Sequence, residues 1–309
     1  MSSDLIAEQI NLVESFLSKA KTSTEDFTLA KGLLSCPGSL LSLSDFQVLL
    51  NNPLLTPDWL QVKFGGKHYD FSGDLLSKAV QQHQLKFIDK KRLDELIGQG
   101  ASVVLEGIDL QCAHISELCS RLEQQYPCVL SNCVGFFSQS GNEAYGGHKD
   151  SDDVVVIQLS GQKKWRVYAR QHRQFVGSFP MSEEQMAPLK AEIVLEPGDV
   201  LFVRSSTPHR VETVGKHSLH LAFDLWDKTP AIEEVIGAAV EQYKLAPADA
   251  YSGGERVSEV LANTIIAVGS SPTFRSATER RSKDAANFRQ RCSRTSAIQA
   301  FEKIEHHKP

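Results

Sequence analysis

The chain has 309 residues, 33 Lys+Arg against 38 Asp+Glu for a formal net charge of −5, and 41% hydrophobic residues. That length buries a sizeable core and points to one large domain with appendages, or to two domains. The charge balance argues against a general nucleic-acid-binding surface. No apolar run reaches the roughly 18 residues of a membrane-spanning helix, and the N-terminus lacks the basic-then-apolar pattern of a secretory signal.

Leu5, Ile6, Ile10, Val13, Phe16 and Leu17 recur at helical spacing and predict an amphipathic first helix. Short helices and loops follow to Leu60, punctuated by Cys36-Pro37-Gly38 and Asn51-Asn52-Pro53. A helix is expected over 85–99, a strand over 101–107 and a helix over 114–125. The character then changes. Residues 129–138 read as extended, 153–159 as a strong strand, Ser160-Gly161 as a turn and 163–168 as the returning strand. Residues 192–195, the turn Glu196-Pro197-Gly198-Asp199 and 200–203 repeat that pattern, and 218–226 make a further strand. Many short strands joined by Gly/Pro turns predict an α+β chain with a mainly β core, an antiparallel barrel or double-sheet jelly roll. Beyond Pro230 helices are expected over 231–245, 255–268 and 276–303.

Six cysteines (Cys36, Cys112, Cys119, Cys128, Cys133, Cys292) form no C-x-x-C pair. The four between 112 and 133 admit a redox or metal cluster, or free thiols serving as small core residues. The second reading is adopted, and with it a cytoplasmic compartment.

His148-Lys149-Asp150 and, about sixty residues later, Pro208-His209-Arg210 carry the chemistry. Alternate residues on a strand face one side, so His148 and Asp150 reach one ion together. With His209 they make a two-His, one-carboxylate facial set that leaves positions open, the pattern of non-haem Fe(II) oxygenases. Asp152 and Asp153 compete for the carboxylate role, but Asp150 alone has the i+2 relation to His148. On 163–168, period two puts Lys163 with Trp165 and Val167 on the apolar face. An inward lysine is costly unless it meets an anion, so Lys163 is the expected receptor for the distal carboxylate of a 2-oxo acid.

The run from His148 to Tyr168, HKDSDDVVVIQLSGQKKWRVY, resembles the JmjC oxygenases of the cupin superfamily, closest to the ribosomal-oxygenase branch with its H-x-D and Q-x-x-G-x-[KR]-x-W-R pattern. Gly100 to Gly107, Glu196-Pro197-Gly198-Asp199, Pro208-His209 and His217 to Leu221 follow the same family in order, so the resemblance spans roughly residues 30 to 230. It implies a double-stranded β-helix (jelly roll, cupin/JmjC) barrel flanked by N- and C-terminal helices. Expected divisions are an N-terminal helical segment (1–30), the oxygenase domain (31–230) and a C-terminal helical region (231–309). It implies His148, Asp150 and His209 as iron ligands and Lys163 as the 2-oxoglutarate anchor. Asn132, Tyr145 and His220 are implied beside the cosubstrate. Many relatives carry a tyrosine where this chain has Val134, a change in the pocket. The implied reaction is 2-oxoglutarate-dependent dioxygenation: Fe(II), 2-oxoglutarate and O2 yield succinate and CO2 while a C–H bond, expected on a protein side chain, is hydroxylated. N-methyl-lysine demethylation and a small-molecule substrate are variants of the same chemistry. A cupin-type metal-binding or sensing module without turnover is the alternative of another class.

The apolar spacing of 231–268 fits either a homodimer interface or docking onto the chain's own barrel. Residues 275–294, rich in arginine, read as a solvated helix face or as a contact for RNA, ribosome or an acidic partner.

Overall fold

The structure, a computed structural model, describes residues 3–125, 128–139, 141–171 and 180–227, with the side chains of 128–130, 226 and 227 excepted. The helices expected beyond residue 230, the basic segment 275–294, Cys128's side chain and Cys292 lie outside the described residues.

The chain opens with α1 (Ser3–Ala20), β1 (Phe27–Ala30), a short 3-10 turn at Pro37–Ser39 and α2 (Leu43–Leu50). Then come β2 (Leu60–Phe64), β3 (Lys67–His68), β4 (Leu75–Val80), β5 (His83–Ile88) and α3 (Lys90–Gly98). β6 (Ser102–Leu105), α4 (Ile108–Gln111), α5 (Ala113–Gln125) and β7 (Cys128–Gln139) lead into the chemistry-bearing half. That half holds β8 (Asp153–Tyr168), α6 (Glu183–Met186), β9 (Leu189–Leu195), β10 (Val200–Val203) and β11 (His209–Asp227). Among the described residues nine strands form one sheet in the order β1-β10-β8-β11-β7-β6-β2-β3, with β9 also on β8, and every pairing there is antiparallel.

The turn expected at Ser160-Gly161 is not a hairpin. β8 runs unbroken through it for 16 residues. Gly161 takes φ +63°, and opposite it β11 shifts register between Val214 and Ser218. An extra segment on one strand is absorbed as a bulge, so both strands bend instead of reversing. The Glu196–Asp199 turn follows the same rule. β9 pairs with Lys163–Tyr168 and β10 with Val154–Ile157, so the two run on in one direction along β8. Gln158 and the turn clasp this corner: Gln158 N–H donates to the Asp199 carbonyl at 3.1 Å, and Gly198 N–H to the Gln158 carbonyl at 2.9 Å. The sheet therefore folds into two facing layers.

Val154, Val156, Trp165, Val167, Leu195, Leu201, Val203 and Ala222 pack between those layers. Val155, Ile157, Val200, Phe202, Leu221 and Phe223 pack on the outer face with Ile10, Leu17, Leu118 and Leu122 from α1 and α5. Both faces are covered, which is why 153–159 reads as a continuous apolar run. Each fully buried Leu, Ile, Val or Phe contributes about 1.5–3 kcal/mol. α1 supplies Ile6, Ile10, Val13, Phe16 and Leu17 on one face, as their spacing predicts.

The helix expected over 85–99 starts late. Residues 85–88 pair with β4, and Asp89 caps α3 by accepting from the Lys91 and Arg92 N–H groups. β4 is exposed along nearly its whole length, and so is most of β5, so no in/out alternation marks them in the sequence. The strands β1 to β3 also fall where loops and helices are expected. Among the described residues Cys36, Cys112, Cys119 and Cys133 form no disulfide, and the last two are buried in the core.

Candidate metal centre

Between the two layers lies a cavity of about 380 Å³. His148, Asp150, His209, Lys163, Tyr145 and His220 all line it. His148 and His209 form an isolated antiparallel bridge: His148 N–H donates to the His209 carbonyl at 3.0 Å and His209 N–H to that of His148 at 2.7 Å. Ser206 N–H holds the Asp150 carbonyl at 2.8 Å. The backbone thus sets three side chains on one spot. Asp150 Oδ1 is 3.7 Å from His148 Nε2, and Asp150 Oδ2 is 3.7 Å from His209 Nε2. One donor atom from each residue falls within 4.8 Å of the others.

The outer nitrogens fix the tautomers. A carbonyl only accepts, so His148 Nδ1 carries its proton toward the Gly146 carbonyl at 2.9 Å, and His209 Nδ1 toward that of Thr207 at 3.1 Å. Each Nε2 then carries the lone pair and faces the Asp150 carboxylate, the arrangement that orients metal-ligating imidazoles. Burial, then the neighbouring His148, push the His209 pKa down, which keeps it in the neutral form a metal needs. Asp153 and Asp152 are used elsewhere: Asp153 accepts from Ser205 N–H at 2.7 Å and Asp152 from Ser151 Oγ at 2.8 Å. The donor set, two neutral imidazoles and one carboxylate with room beside them, fits a divalent first-row ion.

Lys163 lies on the inward face, as its strand phase predicts, and is 2% exposed. Its ammonium donates to Thr213 Oγ1 at 2.9 Å and Ser138 Oγ at 3.2 Å. Burial pushes its pKa down to about 7, offset in part by the charge of Glu143, which is itself held by Arg210. His220 stacks on Phe136, centroids 4.9 Å apart, and its pKa is driven well below the ordinary value by burial and then by Lys163. Its Nδ1 and the Trp165 Nε1 are buried without a hydrogen-bond partner.

Tyr145 and Asn132 stand at another part of the wall. The Tyr145 hydroxyl donates to Gln61 Oε1 at 3.1 Å, and burial, with Glu106 next, raises its pKa to about 12. Asn132 does not line the cavity; its amide donates to Glu106 Oε2 at 3.1 Å. Trp165 lines the cavity beside Lys163, as strand phase predicts, whereas Glu106 and Asp224 line it without having been expected there. A signal existed for Asp224: it is an acid in the apolar run Leu219–Leu225 and shares strand phase with His220.

Residues 109–232 match the family model described as the JmjC domain. Two curated relatives bear the name bifunctional lysine-specific demethylase and histidyl-hydroxylase NO66. The one from Drosophila mojavensis is 27% identical over 136 residues, 42% of this chain and 15% of its own length. The one from Dictyostelium discoideum is 23% identical over 211 residues, 56% of this chain and 41% of its own. Ribosomal oxygenase 2 of Rattus norvegicus is 26% identical over 118 residues, 34% of this chain and 24% of its own. This chain therefore spans well under half the length of these relatives. Among solved structures, Escherichia coli ycfD superposes with TM-score 0.52 at 16% identity, over 84% of this chain and 67% of that one. YcfD described as a ribosomal oxygenase in complex with cobalt and 2-oxoglutarate gives 0.51 at 16%, over 86% and 69%. These likenesses establish the shared fold.

Proposed function

We propose, from the match of residues 109–232 to the JmjC-domain model, that this chain is an Fe(II)- and 2-oxoglutarate-dependent oxygenase hydroxylating a C–H bond of a protein side chain. The observation that carries the reading is the pairing of two features in one cavity: the His148–Asp150–His209 donor set and a buried lysine that, among the described residues, has no carboxylate partner. The family match and the relatives' names support it.

When bound, iron with 2-oxoglutarate and O2 supplies the oxidising chemistry, releasing succinate and CO2. The chain's residues do the rest. His148 and His209 hold the ion through Nε2 and Asp150 through a carboxylate oxygen. Lys163, with Thr213 and Ser138, receives the distal carboxylate of the cosubstrate by a charge-assisted hydrogen bond. Neutral His220, Phe136 and Trp165 keep that end dry, which strengthens the pair. No side chain is assigned as general acid or base.

The reading is tested by succinate production from 2-oxoglutarate under air with Fe(II). Turnover in the wild-type protein that Asp150→Ala abolishes is the expected result. Tight metal binding with no succinate from folded, iron-loaded protein would instead support a metal-binding module.

A further inference from the structure

The loop that carries two of the three metal donors has its own support. Gly146 and Gly147 precede His148, and neither takes a left-handed φ. Space, not conformation, excludes a side chain there. A Cβ on Gly146 would stand 2.5 Å from Pro180 Cβ, and one on Gly147 2.5 Å from Met186 Cε and 2.6 Å from its Sδ. The β2–β3 turn closes in as well, since a Cβ on Gly66 would lie 3.1 Å from the Gly146 nitrogen. The loop is therefore packed at backbone distance against two other segments.

Residues 180–186 form one of those segments, and local bonds fix them. Ser182 Oγ accepts from Gln185 N–H at 3.3 Å and Gln185 Oε1 from Ser182 N–H at 2.8 Å, a capping box that opens α6. Glu183 ties α6 to the barrel: it accepts from the Tyr168 hydroxyl and pairs with Arg210, the neighbour of His209, at 3.5 Å. From this base Met181 N–H donates to the Gly147 carbonyl at 2.7 Å. Met186 is fully buried, the end of its side chain against Gly147. Gln171 links α6 to Lys149: its Oε1 accepts from Lys149 Nζ at 3.1 Å and its amide donates to the Gln185 carbonyl at 2.6 Å. Three of the bonds that hold the loop are those of His148 Nδ1 to Gly146, the His148 backbone to His209 and Ser206 to Asp150. The others come from Met181 and Gln171.

We propose that Met186 is a positioning residue of the metal centre: by filling the space against Gly147 it sets the backbone from which His148 and Asp150 reach the ion, with Gln171 as its second link to that loop. The inference rests on the metal-centre part of the reading above. Groups that orient a metal's ligands from outside typically cost about 10- to 100-fold in metal affinity when removed. Truncating Met186 opens a cavity beside a glycine, the residue freest to relax into it. The displacement then falls on the very next residue, His148.

The test titrates Co(II) into the full chain without O2 or 2-oxoglutarate and follows the visible d–d absorption, which reads affinity and ligand geometry with no turnover. Met186→Ala should weaken Co(II) binding about tenfold or more and change the band. Met186→Leu, which refills most of the volume, should bring both back to within about twofold of wild type. Leu118→Ala, a core truncation on the outer face of the sheet, is the control: it should lower the urea midpoint and leave Co(II) affinity and spectrum unchanged. Gln171→Ala, at a partly exposed residue, should weaken Co(II) binding in the same direction, and it reads the link where Met186→Ala fails to fold. Wild-type affinity and spectrum in Met186→Ala, an equal loss in Leu118→Ala, or an unchanged Gln171→Ala protein overturns the proposal. Co(II) uptake by the wild-type protein reads the metal assignment by itself, and succinate production reads the oxygenase assignment separately.

Discussion

At Lys163, an ammonium held by two hydroxyls lines the cavity beside an aromatic wall, and its proposed role is to receive the distal carboxylate of 2-oxoglutarate. The group sits in the free protein with a pKa of about 7, lowered by burial. Only its charged form meets a carboxylate well, so binding stabilises the proton on Nζ and raises that pKa. 2-Oxoglutarate affinity should therefore be flat below about pH 7 and fall as pH rises above it, up to about tenfold per unit, with proton uptake on binding. Calorimetry in two buffers of different ionisation enthalpy measures both; a pH-independent affinity without proton uptake would contradict the role. Lys163→Ala loses a charge-assisted bond worth about 1.5–3 kcal/mol, so the 2-oxoglutarate KM should rise roughly 10- to 100-fold. The strand phase of Lys163 was readable because it obeys a local period, whereas His148 and Asp150 meet in the loop before β8, set by an isolated bridge to His209 and not by the strand alternation expected of them. The Gln61–Tyr145 and Asn132–Glu106 bonds join residues 84 and 26 positions apart, and no local period carries that.

The elements most exposed to misreading are those that bend. Gly161 looks like a hairpin glycine, and the same positive φ serves a bulge here. What distinguishes the two is the partner strand, which the local sequence does not name. A Cβ on Gly161 would stand 1.9 Å from the His217 carbonyl oxygen, whereas one on Gly215, also at positive φ, would meet nothing within 4 Å. Gly161→Ala should thus cost about 2–4 kcal/mol, left-handed strain plus a backbone clash, and Gly215→Ala only the strain, about 1–2 kcal/mol. Urea denaturation of the two variants measures the difference; equal midpoints would remove the corner contact from the account. The amphipathic α1 and α5 and the strand β7 were legible because burial imprints their periods, while the exposed β4–β5 hairpin leaves no such imprint.

For the molecule as a whole, the centre joins segments distant in sequence: the 144–150 loop, both halves of β11 and the far half of β8. Because these meet only in the folded chain, an ion that binds them stabilises the fold by mass action. Mn(II) at one hundred times its Kd should add about 2.7 kcal/mol to unfolding in urea, and His209→Ala should lose most of that gain. The two-layer architecture was legible from the density of apolar runs and Gly/Pro turns. The pairing of β1 with β10, which brings residues 27–30 into the barrel sheet, was not. Among the described residues no helix is long and apolar enough to cross a membrane.

The most direct measurement is anaerobic addition of Fe(II) and 2-oxoglutarate to the purified protein, followed by O2, while the visible charge-transfer band of the chelate and succinate are monitored beside Asp150→Ala. The account predicts a band in the wild-type protein that decays with O2 as succinate forms, and neither in the variant. A folded, iron-loaded protein with no band and no succinate would contradict it.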